Sequence, residues 1–166
     1  MSQTQCNNKR LSHPVDFVER VAHGHNWLFE RTAEDEISIC VDGNRTEYEV
    51  SFSWLSDRDA LHIACAFHTD VPVKQLDEMH RLLTQVNVQL VMGHFDYWQD
   101  ANVIMYRQAL QLADGLHPSD AQVELLLMNA LEACESHYQA FYMVCHELAN
   151  APKALQYSLF ETVGNA

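Results

Sequence analysis

The stretch Asn87 to Leu112, NVQLVMGHFDYWQDANVIMYRQALQL, carries three structural signals in a fixed order: the end of an amphipathic helix, a glycine, and a hairpin. The amphipathic run stops at Gly93, where a residue without Cβ takes the left-handed conformation that ends helices. An aromatic strand follows at once, and the polar turn Gln99-Asp100-Ala101-Asn102 reverses the chain into a second strand. That strand carries a single cation, Arg107, beside Val103, Ile104, Met105 and Tyr106. A chain built this way passes from helix to antiparallel sheet within a few residues.

The same alternation of signals continues on both sides. Ser12 as N-cap, Pro14 in the first turn and the apolar set Val15, Phe17, Val18, Val21 and Ala22 predict a first helix closed by Gly24. Residues 27–31 alternate as a strand, Ala33-Glu34-Asp35 turns, and Ile37, Ile39 and Val41 alternate again before the turn Asp42-Gly43-Asn44. Tyr48, Val50, Phe52 and Trp54 point one way while Glu47, Glu49, Ser51 and Ser53 point the other. After Ser56-Asp57-Arg58-Asp59, Leu61, Ile63, Cys65 and Phe67 alternate with His62, Ala64, Ala66 and His68. These four strands predict an antiparallel meander with one buried and one wetter face.

Val73, Leu76, Met79, His80, Leu83, Val86, Asn87, Leu90 and Val91 recur at helical spacing, so helix two is expected to run up to Gly93. Ser119 with Gln122 forms a capping-box start to a long helix striped by Val123, Leu126, Leu127, Ala130, Leu131, Cys134, Tyr138, Phe141, Val144, Cys145 and Leu148. Asn150-Ala151-Pro152 breaks it, and a last helix runs from Lys153 to Val163. The predicted class is α+β, order α-ββββ-α-ββ-α-α, with about six antiparallel strands and helices on one face. Residues 1–12 are expected to be a flexible tail and 13–166 a single domain, since 166 residues suffice for one good core.

Charge narrows the partners. Twenty-three acids against ten Lys and Arg give a net charge of −13, and no Lys or Arg occurs between Gln108 and Pro152. Such a surface repels phosphates, which argues against nucleic acid and anionic membrane and suits a basic protein or a chaperone role. The five cysteines are odd in number and widely spaced, so they are expected to be reduced. Cys134 and Cys145 share a helical face but stand roughly 16 Å apart, too far for a disulfide. The polar start has no apolar segment of a secretory signal, and no apolar run approaches the roughly eighteen residues of a spanning helix, so a cytoplasmic location is expected.

No reaction chemistry stands out. His13, His23 and His25 lack the spacing of a metal motif, His62 and His68 lie six residues apart on one strand face, and Cys134 with His137 sits on a core stripe. There is no glycine-rich phosphate loop, so no metal or cofactor is expected. Asn87, beside an apolar stripe, is expected to hydrogen-bond backbone near the Gly93 corner, and Arg107 to pair with Asp96 across the hairpin. Asn87, Gly93, Phe95 and Arg107 thus define a structural corner, with ligand binding as the alternative for Asn87 and Arg107. Trp54, Tyr97 and Trp98 read as core or dimer contacts.

The ordered set Trp27-x-Phe29-Glu30, Glu36-Ile37, Phe52-Ser53-Trp54, Asn87-x-x-Leu90-x-x-Gly93-His94-Phe95-Asp96-x-Trp98, Tyr106-Arg107-x-x-Leu110 and Glu161-Thr162-Val163-Gly164 resembles the YbjN domain family from about Asp16 to Gly164. The resemblance implies a fold similar to the class I type III secretion chaperones, modules that commonly dimerise. It also implies membership of a family labelled as sensory transduction regulators, with no established reaction. The resulting expectation is a non-enzymatic regulatory or chaperone-like protein-binding module. The rivals are a dedicated secretion chaperone for one client and a small-ligand or metal sensor. A homodimer through the sheet or helix two is expected, strengthened by salt because screening relieves like-charge repulsion. Asp120, Glu124, Glu132 and Glu135 on the long acidic helix are then expected to face a partner.

Overall fold

Alternation in the strands and 3.6-residue spacing in the helices give the described residues six strands and four α-helices in the order the sequence predicts. The structure, a computed structural model, describes residues 13–163, and of 161–163 the backbone alone. The expected tail of residues 1–12 lies outside the described residues. Helix α1 (Pro14–Gly24) precedes strands β1 (Leu28–Ala33), β2 (Glu36–Asp42), β3 (Glu47–Leu55) and β4 (Ala60–His68). A 3-10 turn at Val73–Gln75 leads into α2 (Leu76–Gln89). Then come β5 (His94–Trp98), β6 (Val103–Gln111), α3 (Asp120–His146) and α4 (Ala151–Val163).

The sheet is antiparallel throughout, with spatial order β1-β2-β3-β4-β6-β5. The last hairpin therefore enters in reverse. Strand β6 pairs with β4 over nine residues, from Ala60 opposite Gln111 to His68 opposite Val103, and β5 becomes the edge. Physical chemistry favours this order. Val103, Ile104, Met105 and Tyr106 are apolar toward both faces and suit an interior strand, whereas five-residue β5 is short enough to leave little open ladder.

One face of the sheet holds the core. Ile39, Val50, Cys65, Tyr106 and Phe95 form a row across five strands, flanked by Ile37, Phe52, Ile63 and Ile104, all buried. Helix α3 lies over β4 and β6, α1 over β1 to β3, and α2 against β5, with α4 packed on α2 and α3. The long helix begins with the expected capping box: the Gln122 N–H donates to Ser119 Oγ (3.1 Å) and the Ser119 N–H to the Gln122 side chain (2.9 Å).

Several local expectations need correction. The N-cap of α1 is His13 rather than Ser12. Its Nδ1 accepts from the Val15 N–H (3.2 Å) while Nε2 reaches Asp35 (2.8 Å), so an imidazole can serve where a hydroxyl is the usual cap. Helix α2 stops at Gln89, and Leu90 is already extended, so Gly93 opens β5 instead of capping the helix. Gly93 still needs to be glycine: its φ is +69° and a Cβ would strike the Tyr106 ring. Val73, His80 and Val91, read as part of the apolar stripe, are exposed. Helix α3 ends at His146, with Leu148 exposed at a positive φ of 55° and Ala140 and Met143 buried instead. Pro152 lies in the first turn of α4, where its missing N–H is harmless, and Asn150 Oδ1 accepts from the Lys153 N–H.

The turn from helix to hairpin is made by Asn87. Its Oδ1 accepts from the Phe95 N–H (2.7 Å) and its Nδ2 donates to the Phe95 carbonyl (3.0 Å), a side chain acting as the missing neighbour strand of edge β5. Asn87→Ala leaves both Phe95 backbone groups without partners in a partly buried place, so urea denaturation is expected to show a loss on the order of 2 kcal/mol. Asn87→Asp keeps only the acceptor half and should lose a comparable amount; wild-type midpoints for both variants would show that water replaces the amide.

Candidate functional site

The face of the sheet turned away from the helices is built from the alternate residues of every strand. Register places Cys40, Glu49, Ala66, Met105 and Asp96 in one row and Ser38, Ser51, Ala64, Arg107 and His94 in the next. Small residues on β3 and β4 beside long ones on β6 make the surface hollow. A trough of about 580 Å³ has Ala64, Ala66, Val103, Met105 and Cys40 among its lining, with Glu30, Glu47 and Glu49 around it. Val103 and Met105 are only 9% and 8% exposed although no helix covers them, so the floor is dry enough to favour an apolar occupant. Leu28, at the β1 end, is 80% exposed.

Toward the other edge the face turns polar. Arg107 Nη1 donates to Asp96 Oδ2 (3.0 Å) and Nε donates to His62 Nε2 (3.3 Å), while His94 Nε2 stands 3.5 Å from the same carboxylate oxygen. These groups border a second hollow of about 390 Å³, lined by His62, Met92, Gly93, His94, Arg107, Gln108 and Ala109. Burial first, then the Arg107 charge and His94, hold His62 below the usual imidazole range, which keeps it neutral and able to accept from the guanidinium. Arg107 therefore does pair across the hairpin, but also across to β4, a link that depends on the β4–β6 register. Gly93 and Phe95 sit behind this cluster, where Tyr106 stacks edge-on to Phe95 (5.5 Å) and donates to the Met92 carbonyl (2.9 Å).

The acids of the helix that is expected to face a partner also make contacts within the chain. Asp120 is held by Arg20 (2.5 Å), Glu124 lies 2.7 Å from His25 Nε2, and Glu135 accepts from the Asn44 N–H (2.7 Å). Three of the four acids thus fasten α1 and the β2–β3 turn to α3, and Glu132 is left exposed. The pairings join residues about ninety to a hundred positions apart, which no local pattern reveals.

The other candidates do not assemble. His13 binds Asp35 and His25 stacks on Trp27 (4.1 Å) against Glu124, so with His23 they do not converge. Among the described residues no three His, Cys, Asp or Glu side chains are grouped to hold a metal ion. Cys134 Sγ donates to the Cys65 carbonyl (3.7 Å) and burial pushes its thiol well up, while His137 Nδ1 bonds the Ala133 carbonyl (2.8 Å), so the two do not form a nucleophile and base. Trp98 is 52% exposed at the β5 edge, while Trp54 and Tyr97 pack against the core. No helix of the described residues is long and apolar enough to cross a membrane.

An antiparallel sheet with helices on one side and a hollow, chemically divided other side defines an α+β domain. The family model of YbjN, described as "Putative bacterial sensory transduction regulator", matches residues 14–143, and the chain belongs to the YbjN family. The Glu161–Gly164 motif falls outside that span. The crystal structure of YbjN from E. coli is similar with a TM-score of 0.51 at 11% identity, over 72% of this chain and 84% of that one, which shows a shared fold. The ExsC-ExsE complex gives a TM-score of 0.49 at 16% identity, over 81% of this chain and 92% of that one. No curated protein sequence matches the chain.

Burial also pushes His137 below its ordinary range, as it does His62. The unfolded chain therefore binds protons more readily than the folded one once pH drops below about 6.5, so stability is full above that value and is lost as pH falls through the folded pKa values. Thermal melts between about pH 7.5 and pH 5.5 should show a falling melting temperature, and His137→Gln should flatten the slope. An identical slope in the variant would place the pH response elsewhere.

Proposed function

We propose that this chain is a non-enzymatic, cytoplasmic regulatory module that binds a protein partner on the uncovered face of its sheet. The observation that carries the reading is the dry trough over Met105, Val103 and Ala66 with carboxylates around it. An apolar floor with Glu30, Glu47 and Glu49 beside it, in a chain of net charge −13, complements an extended segment that alternates apolar and basic residues. Membership of a regulatory family supports this reading. So does the expected likeness to secretion chaperones, whose dedicated-client version is the narrower form of the same proposal. The acids of α3, largely engaged within the chain, contribute field rather than contact, with Glu132 the one placed to meet a partner directly.

A short peptide of alternating lysine and leucine is expected to bind, more weakly as salt rises, and Met105→Lys should weaken it at least about tenfold by placing a like charge on the floor. An equally tight complex with a glutamate–leucine peptide, or an unchanged affinity in Met105→Lys, would overturn this placement.

A homodimer is the companion proposal, favoured by one patch away from the trough. Val88, Val91 and Met92, at the end of α2, are 82%, 98% and 53% exposed. A second copy seated there leaves the trough free and forms the closed two-fold symmetry commonest among soluble oligomers. Light scattering should show the dimer fraction growing with salt and shrinking in Val91→Asp; a monomer at every salt concentration would remove this proposal and leave the trough untouched.

A further inference from the structure

We infer that the hollow at the β4–β6–β5 corner is a carboxylate-binding subsite, with Arg107 as its anchor and His62 and His94 as flanking donors. Of the described strand residues that register to the uncovered face, Arg107 alone is a lysine or arginine. It stands where a strongly acidic protein would otherwise present more negative charge. Its guanidinium has five N–H donors in a planar fork. Nε is directed at His62 and Nη1 at Asp96, and among the described residues Nη2 finds no partner. The side chain is 35% exposed and lines the hollow, so that end of the fork is reachable.

The surroundings select the ligand. Because His62 Nε2 accepts from Arg107, the neutral ring carries its proton on Nδ1 and remains a donor. His94, against Asp96, adds positive charge only when protonated. Asp96 offsets much of the guanidinium charge, so the site suits a singly charged, planar carboxylate that takes two parallel N–H bonds, and disfavours a phosphate dianion. Met92 and Ala109 supply apolar wall, and about 390 Å³ leaves room for a short apolar body behind the carboxylate. Two sources offer that chemistry: a free small organic acid, or an acidic side chain of a segment lying along β6 from the trough. Met105 and Arg107 are successive residues on one strand face, roughly 7 Å apart, so one ligand can touch both. The subsite stands on its own hollow and remains if the trough proves to have no protein partner.

Butyrate, N-acetylaspartate amide and inorganic phosphate titrated into the labelled full chain, with the Arg107 Nε–H and His62 ring nitrogens followed by NMR, test the assignment. A carboxylate should produce saturable shifts with a dissociation constant on the order of 1 to 10 mM, the range open to a ligand of a few atoms. Arg107→Gln should weaken it at least about tenfold. The Arg107–Asp96 pair is only partly buried, so this variant is expected to fold; Ala109→Phe, which fills the hollow without changing any charge, should abolish the shifts independently. Tighter binding of butyrate assigns the site to a free acid, and tighter binding of the aspartyl compound assigns it to a partner's side chain. Shifts that do not saturate, equal affinity in both variants, or phosphate binding more tightly than either carboxylate would overturn the subsite.

Discussion

The amide of Asn87 decides how the second half of the chain meets the first. By bonding both backbone groups of Phe95 it gives edge strand β5 a substitute neighbour on its open side and fixes where helix α2 must stop. Gly93 then brings the chain against the Tyr106 ring at a backbone angle that side chains rarely tolerate. From this corner the register of β5 on β6 follows, and from β6 the register on β4. The meeting of Arg107 and Asp96 with His62 depends on that sequence of pairings, because a one-residue slip of β6 on β4 would turn Arg107, and Asp96 with it, toward the core and away from His62.

Much of this was legible in the chain. Period-two alternation marked β2, β3 and β4, the capping box marked the start of α3, and the proximity of Asp96 and Arg107 in one hairpin made their pairing readable. The limits have physical causes. Four consecutive apolar residues, Val103 to Tyr106, carry no period, so neither the inward face of β6 nor its place beside β4 could be read locally. The Gly93 signal was genuine but belonged to the strand that follows, since the helix ends four residues earlier, at Gln89. The His13 cap was hidden because a ring nitrogen is an uncommon acceptor at that position.

The acids illustrate the difference between composition and placement. Counting charges predicts a surface that repels phosphates. It does not say which carboxylates stay free. On α3 they meet Arg20, His25 and a backbone N–H, whereas Glu30, Glu47 and Glu49 lie around the sheet trough, Glu49 with His68 Nε2 at 3.7 Å. Three carboxylates therefore stand beside an apolar hollow on the sheet face, a placement that the overall charge count does not reveal.

Inserting β6 between β4 and β5 also shapes how the chain reaches its native form. The meander from β1 to β4 closes through short turns, but joining Ala60 to Gln111 brings together residues about fifty positions apart, with α2 in the intervening loop. Contacts of that separation are slow to form, so assembly of the sheet is divided in time: a local four-strand unit first, and the hairpin, with the corner it carries, afterwards. Until the hairpin docks, β4 is itself an edge, and its alternating Ala64, Ala66, Ile63 and Cys65 make it the segment most open to pairing with another chain.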